Sequence, residues 1–573
     1  MSLLKFLFLL LIVFIVYLIG QGIGLIFSWL QNTKIFSWLT KLWRFLPRLP
    51  RKIVTNLLKM WHSLPRFYHN LAANLVLGLL LTWLLLEVFH SYPILIDPED
   101  EGMDLAMQIL EQNIPPMADK NIPPFVFLDI DDKTHQAWGE PLFTPRNRLK
   151  NLIDAAVKAE ARLIVVDVGL SQKTPIDGLG LMQHLHPYDQ QLSDYLANYA
   201  ASCEKDKMTC PPIILSRTFR ATLPKPQSVT DTGYFSVPSL PIPEERSSFF
   251  DPAVAHSMPY VQWASSAFFR SSDYVIRRWW LWQPTCTSQQ PGVIPSIELL
   301  AAALIRNEKP QENQELLTNA LNRFKPKKCP GHYVPPQPEP IQIGQLTVST
   351  DTYSIRQRIM YSMPWLVNDQ PPLLPHSLCA KGNHCEPPIL TILSAQRYAE
   401  SPPTADLNTL KNRIVVIGGS YSDGRDIHVT PLGNMPGPLI LINAIHSLLQ
   451  YEKIESVSIG QKLLLQAGLI ILISIISILL VRNRWMPWTL QRAIHRFGYT
   501  ALFMFGIFWG TFSGTIVILI LLPLTISLLR YGIWLDFVIP LLLVQLNQTM
   551  NDFNDFFTQC YNNLWFGHSK TGF

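Results

Sequence analysis

The chain has 573 residues, 48% of them apolar, and a formal net charge of +5 at pH 7. That length allows more than one structural unit. The charge is unevenly spread: residues 91–460 hold 31 Lys and Arg against 38 Asp and Glu, whereas the remainder holds 16 basic and 4 acidic residues. The basic excess therefore accompanies the most apolar parts of the chain, which argues against nucleic acid as a partner.

Four apolar stretches are long enough to cross a membrane, a distance that takes about 20 mostly apolar residues. They are Leu3–Phe27, Leu71–His90, Leu463–Val481 and Tyr499–Leu546. The first has no small-residue cleavage site of the kind that ends a signal peptide, so we predict a retained membrane helix within residues 1–30. The last is too long for one helix and offers a turn at Arg530-Tyr531-Gly532. We therefore predict three transmembrane helices within residues 461–546.

The loops beside these stretches are basic and set the orientation. Residues 31–70 contain eight basic and no acidic residues, and the loop after Leu463–Val481 carries four arginines and no acid. Short basic loops beside membrane helices stay in the cytoplasm. We therefore predict a cytoplasmic loop at 31–70, a transmembrane helix at 71–90, an extracytoplasmic domain at 91–460 and a short cytoplasmic tail at 547–573. The protein is expected in the lipid bilayer of a bacterial inner membrane, as a multi-pass protein with a large periplasmic domain.

Six of the seven cysteines lie in the predicted extracytoplasmic domain. An even number of cysteines there is typical of disulfides in an oxidising periplasm. Cys203 with Cys210 and Cys379 with Cys385 are the natural local pairs, which leaves Cys286 with Cys329, although six cysteines allow 15 connectivities. A zinc site is the alternative, but the sequence contains no C-x2-C spacing.

Four short apolar runs within this domain predict buried strands. They are Phe125–Ile130, Leu163–Val168, Pro212–Leu215 and Ile414–Ile417. Continuous apolar runs indicate strands that are buried on both faces, as in a parallel sheet. Amphipathic helical patterns alternate with them at Arg146–Glu160, Tyr188–Ala201, Ser296–Asn307 and Leu439–Gln450. We predict an α/β domain with a mostly parallel sheet and flanking helices, in addition to the α-helical transmembrane segments.

Acidic residues recur where these strands end. Asp129, Asp131 and Asp132 close the first run, Asp167 lies in the second, and Asp426 follows the last. Ligands of open α/β sheets usually bind beyond the carboxyl ends of the strands, so these side chains could hold a cation or another polar ligand in one crevice. Helix capping and turn formation are the alternative, since Asp serves both well.

The remaining motifs give little support to an enzyme. The loop that begins at Gly418-Gly419-Ser420 matches neither common phosphate-binding glycine pattern. The D-x-D pair Asp129/Asp131 resembles the start of haloacid-dehalogenase-type phosphatases, which use a nucleophilic carboxylate and Mg²⁺. The later lysine and paired acids that this chemistry needs are not found in convincing order. We therefore expect no catalytic residues and no bound cofactor, with a divalent cation at the acidic strand ends as the exception.

An ordered set of segments resembles a known family. In chain order the segments are FVFLDIDD at 125–132, Pro145-Arg146, LIVVDV at 163–168, the D-x-x-V-x-R-like stretch at 273–278, Pro295-Ser296-Ile297-Glu298, and residues 413–443 with Asp426, Thr430-Pro431 and Pro436-Gly437. Together they resemble the second class of CHASE domains, the sensory extracellular domains associated with cyclases and histidine kinases. The chain departs from that family at Leu441, near which a histidine is common, and in lacking a recognisable output domain after the last apolar stretch.

The resemblance implies an extracytoplasmic sensor with an undefined periplasmic ligand, which passes signals or assembly state to a separate membrane or envelope protein. A structural or docking subunit of an envelope complex is the alternative, and a metal-dependent phosphatase is a weaker one. Arg146 is expected to be the charged partner of the acidic residues. The candidate ligand-binding residues are Asp129, Asp131, Asp132, Arg146, Asp167, Gly418, Gly419, Ser420, Asp426 and Thr430.

Overall fold

The computed structural model describes most of the predicted extracytoplasmic domain. The described residues are 93–113, 122–175, 185–206, 210–220, 240–271, 273–287, 290–307, 309–329, 332–333, 340–348, 357–366, 370–378, 388–451 and a few positions between 464 and 534. The predicted membrane helices at 3–27 and 71–90, and most of the two C-terminal apolar stretches, lie outside them. Among the described residues, no helix has both the length and the apolar character that a membrane crossing requires.

The described part of the chain contains both strands and helices. The strands are β1 (Phe125–Ile130), β2 (Leu163–Val166), β3 (Ile213–Arg217), β4 (Phe219–Arg220), β5 (Leu240–Pro241), β6 (Glu244–Glu245), β7 (Val261–Ser265), β8 (Phe268–Arg270), β9 (Ile276–Trp279), β10 (Trp282–Thr287), β11 (Gln290–Pro295), β12 (His332–Tyr333), β13 (Ile341–Ile343), β14 (Leu346–Val348), β15 (His376–Leu378), β16 (Leu390–Ser394), β17 (Ile414–Gly419), β18 (Ile427–Thr430) and β19 (Gly433–Pro436). The helices are α1 (Pro93–Asn113), α2 (Asp132–Ala137), α3 (Arg146–Lys158), α4 (Pro187–Ala197), α5 (Tyr199–Asp206), α6 (Asp251–His256), α7 (Ile297–Asn307), α8 (Pro310–Asn322) and α9 (Gly437–Gln450).

A seven-stranded sheet forms the centre of the domain, in the order β15-β16-β1-β17-β2-β3-β7. Every neighbouring pair is parallel except β15 with β16 at one edge. Strands β1, β2 and β3 are buried along their whole length, which explains why each begins with three or four consecutive apolar residues instead of alternating. The predicted α/β class and mostly parallel sheet are confirmed, with strand ends that differ by one or two residues.

Helices cover both faces of this sheet. Phe125 and Phe127 point into one apolar cluster with α1, α7 and α9, whereas Val126 and Leu128 point into another with α3 and α4. The alternation along β1 follows from the two-residue period of a strand. The predicted helix at 188–201 is instead two helices, α4 and α5, which are separated at Asn198. The other three helices predicted within residues 91–460 are present with nearly the expected bounds.

Two predicted disulfides are formed, Cys203–Cys210 and Cys286–Cys329. The second joins β10 to the segment after α8, and its two cysteines are 43 residues apart in sequence. The third predicted pair, Cys379 with Cys385, lies outside the described residues.

Candidate functional site

The carboxyl ends of β1, β17 and β2 lie side by side, because these strands are neighbours in the parallel sheet. Asp129 is paired with Gly418 in the strand register. The backbone N–H of Asp167 donates to the carbonyl of Ile417 at 2.8 Å. The sheet therefore brings the predicted acidic strand ends and the glycine loop to the same edge, where α/β proteins usually bind ligands.

Asp129 fixes the loop that follows β17. Its buried carboxyl accepts the Ser420 backbone N–H at 2.9 Å and the Ser420 hydroxyl at 2.6 Å. Burial raises the pKa of Asp129 to about 7, against the lowering effect of Ser420 and with a further increase from Asp131 and Asp132. Asp132 repeats the arrangement at the surface by accepting the Ser422 N–H at 2.8 Å. These aspartate–serine pairs hold the loop across the end of β1.

Asp131 caps the short helix α2. Its carboxylate accepts the backbone N–H of Thr134 at 2.9 Å, as well as the Thr134 hydroxyl, and it accepts the Ser394 hydroxyl at 3.2 Å. This is the capping role in which a side-chain oxygen satisfies an N–H at a helix start. At this position the structure favours the capping alternative over a ligand contact.

Asp167 is partly buried just after β2, and the exposed side chain of Asp426 lies close enough for its charge to act on it. Burial and, to a smaller extent, the negative charge of Asp426 raise the pKa of Asp167 to about 8, although a hydrogen bond with the Ser216 hydroxyl lowers it. The Asp426 side chain is 47% exposed, and its Oδ1 lies 2.9 Å from Nε2 of His428. Two carboxyl groups that repel each other beside an imidazole form an acidic crevice, which a positive charge would stabilise.

The two crevice glycines are required for close packing. A Cβ added at Gly418 would lie 2.3 Å from Cγ of Pro438, and one at Gly437 would lie 2.3 Å from Oδ2 of Asp426. The Gly437 N–H also donates to the Asp426 backbone carbonyl at 2.9 Å. The carboxylate of Asp426 therefore lies at the start of α9, where the helix dipole favours negative charge.

Gly419 and Thr430 have local structural roles. A Cβ at Gly419 would lie 2.6 Å from the ring of Tyr421, so the ring packs where only a glycine fits. The Thr430 hydroxyl donates to the Gly433 carbonyl at 2.7 Å and accepts the Leu432 N–H at 3.3 Å. Thr430 thus closes the turn between β18 and β19.

Arg146 does not pair with the acidic strand ends, and the prediction that it would is wrong. Its buried guanidinium donates to the carbonyls of Gly169 at 2.9 Å and Gln172 at 3.4 Å, and its Nε lies 3.9 Å from Asp189. Burial lowers its pKa and Asp189 raises it. Arg146 consequently fixes the loop after β2, which carries Asp167, and Asp189 is its charged partner.

No three His, Cys, Asp or Glu side chains of the described part of the chain come close enough together to hold a metal ion. The predicted divalent cation therefore has no such group of ligands at the described crevice. The carboxyl groups of Asp167 and Asp426 and the imidazole of His428 remain at this crevice as polar groups that an organic cation can contact.

The model of the CHASE2 domain matches residues 76–481, which is more than half of the chain. The chain belongs to the CHASE2 family. No curated protein and no solved structure matches it. The family resemblance predicted from the ordered segments is confirmed, and CHASE2 domains are sensory extracellular domains.

Sequence reasoning did not single out two titratable residues of this CHASE2 domain. Glu298 begins α7, is fully buried, and has neither carboxyl oxygen in a hydrogen bond of ordinary geometry. Burial raises its pKa to about 8, although its own backbone and the Ser296 hydroxyl lower it. His428 of β18 was also missed, although it lies two residues after Asp426, a spacing that places two side chains on one face of an extended chain.

Proposed function

We propose that this protein is a membrane-anchored sensor whose CHASE2 domain binds a small organic cation outside the cytoplasm and passes its state to a separate protein. The observation that carries the proposal is the carboxyl pair at the sheet edge. The pKa of Asp167 is raised to about 8 by burial and by Asp426, while Asp426 remains half exposed beside His428. Membership of a sensory family supports the same function.

The chemistry of this pair favours a cation. At neutral pH the Asp167 carboxyl keeps its proton, because ionisation would place a second negative charge beside Asp426 in a poorly solvated position. A ligand with a positive charge offsets that repulsion and allows Asp167 to ionise. Binding should therefore release a proton, and the affinity should rise with pH up to about 8, by at most about tenfold per unit.

Thermal unfolding of the full chain in mild detergent tests the proposal. Ethanolamine, putrescine, Mg²⁺ and Ca²⁺ are compared at pH 6 and pH 8, and an amine is expected to raise the midpoint more strongly at pH 8. Asp167→Asn and Asp426→Asn should abolish that increase. Asp154→Asn is the matched control, because the partners of Asp154 in α3 are Lys158 and Tyr195, which are not crevice residues.

Two outcomes would count against the proposal. The first is that none of the four cations stabilises the protein. The second is that the two crevice variants respond as the control does. If only Mg²⁺ or Ca²⁺ raised the midpoint, the ligand would be a metal ion and not an organic cation.

We also propose that the chain has no catalytic activity of its own, since Asp129 and Asp131 are engaged in loop fixation and helix capping. Turnover of a phosphomonoester with Mg²⁺ that is lost in Asp129→Asn would instead support the phosphatase.

The docking-subunit alternative is favoured by the exposed apolar side chains of Ile427 and Val429 on β18. Stoichiometric copurification of an envelope protein, lost when both are replaced by serine, would support it.

A further inference from the structure

Helix α1 is held to the sensory domain by a buried ionic cluster. We define the clamp as Asp100 and Asp104 of α1 with Arg277, Arg278 and Arg358. Arg278 donates to both oxygens of Asp100 at 2.6 and 2.7 Å, and Arg358 contacts both aspartates. The two aspartates are four residues apart and so lie on the same face of the helix.

The clamp is shielded from solvent. Arg277, Arg278 and Arg358 are between 0 and 4% exposed, and Asp100 is 3% exposed. Burial lowers the pKa of Arg358, whereas Asp104 and Asp100 raise it. Asp273 provides a third carboxylate at the rim, where it accepts two hydrogen bonds from Arg277. Because a buried charge without its partner is costly, the helix cannot leave this position without a large penalty.

The opposite face of α1 contacts the C-terminal apolar region. Gly102 lies between the two clamp aspartates in sequence, and two residues correspond to about 200° around a helix. A Cβ added at Gly102 would lie 3.9 Å from the ring of Trp534. Trp534 packs against the apolar cluster that also contains the buried side chains of Ile526 and Leu529. The helix is therefore in contact with the domain through the clamp and with Trp534 through its opposite face.

A third contact joins α1 to the candidate crevice. The Gln108 side-chain amide donates to the Pro431 carbonyl at 2.8 Å, in the turn between β18 and β19. Strand β18 begins directly after Asp426. The β18–β19 hairpin, which follows Asp426, is therefore hydrogen-bonded directly to α1.

From these three contacts we propose that α1 is the relay of this sensor: the clamp makes α1 move as one body with the domain, and its far face passes that movement to residues 522–534. The proposal goes beyond ligand binding at the crevice and does not depend on the identity of the ligand. Asp104 is a positioning residue in it, because it acts through the arginines that hold the helix.

Hydrogen exchange of the full chain in detergent, without added ligand, tests the relay. Asp104→Asn should speed exchange in peptides from 93–113 and 522–534 by roughly a hundredfold, because a buried ion pair has lost one partner. Strands β1 and β17 should stay protected, and Asp104→Glu should restore part of the protection. Asp154→Asn is the control and should change neither region.

Each outcome decides the proposal. Faster exchange in 93–113 alone would overturn the relay, and unchanged exchange in both regions would overturn the clamp. If Asp104→Asn also exposes β1 and β17, Trp534→Ala replaces it as the test. That variant should speed exchange in 93–113 while the sheet stays protected, and unchanged exchange in 93–113 would then refute the relay.

Discussion

Glu298 gives the sharpest quantitative prediction. It is fully buried at the start of α7, and burial raises its pKa from an ordinary 4.5 to about 8. Between these two values the folded protein holds a proton that the unfolded chain has released. Stability should therefore fall as the pH rises from about 4.5 to about 8, and the contribution should be constant above that window.

Replacing Glu298 by Gln removes this dependence, because the amide keeps the shape of the protonated carboxyl and cannot ionise. One pKa unit corresponds to about 1.4 kcal/mol, so the variant should gain roughly 3 kcal/mol over the native protein at pH 7 and roughly 5 kcal/mol above pH 8. At pH 4.5 the two proteins should be equally stable, apart from packing differences.

The assay is urea unfolding of the full chain in detergent, followed by circular dichroism at pH 5, 6, 7 and 8. Glu312→Gln, at an exposed position of the neighbouring helix α8, is the control for the loss of one carboxylate. Parallel curves for the native protein and Glu298→Gln, separated by the same free energy at every pH, would refute the reasoning. They would mean that Glu298 ionises in the fold as it does in water.

Two other substitutions probe the packing around α9. Gly437→Ala places a Cβ within 2.3 Å of Asp426 Oδ2, so it should cost about 1–3 kcal/mol in urea unfolding and displace that carboxylate, whereas Gly169→Ala meets no atom within 4 Å and should be neutral. Asn443→Ala removes an acceptor for the Ser362 and Met363 N–H groups and a donor to the Met363 carbonyl, and should cost about 2–4 kcal/mol, against less than 1 kcal/mol for exposed Asn198→Ala.

The sheet was predictable because strands that are buried on both faces contain runs of consecutive apolar residues. The runs that became β1, β2 and β17 each begin with four consecutive apolar residues, and few other environments tolerate that pattern. The convergence of Asp129, Asp167 and the loop after β17 followed from the geometry of parallel strands. Whether a given aspartate caps a helix or faces a ligand depends on neighbours that are distant in sequence, such as Ser394 for Asp131.

The clamp was not predictable either, because its residues are distant from one another in sequence. Asp100 and Asp104 have helical spacing, but their arginine partners lie more than 170 residues away in sequence. A pattern read along the chain cannot pair charges across such distances. The prediction for Arg146 failed for a related reason. Its position at a helix start beside acidic strand ends indicated a partner among those acids, yet it binds the carbonyls of the loop after β2 and lies beside Asp189.

The crevice and the clamp are also joined through the core by α9. Its first residue, Gly437, contacts Asp426, and in its middle the amide of Asn443 holds the backbone at 362–363. One turn later the Ser447 hydroxyl accepts the Met360 N–H at 2.9 Å, two residues after the clamp arginine Arg358. A shift of α9 along its axis would therefore move the segment that carries Arg358. Two chains of contacts therefore connect the crevice to α1. One runs through α9 to the clamp arginine Arg358, and the other is the hydrogen bond between Gln108 of α1 and the β18–β19 turn.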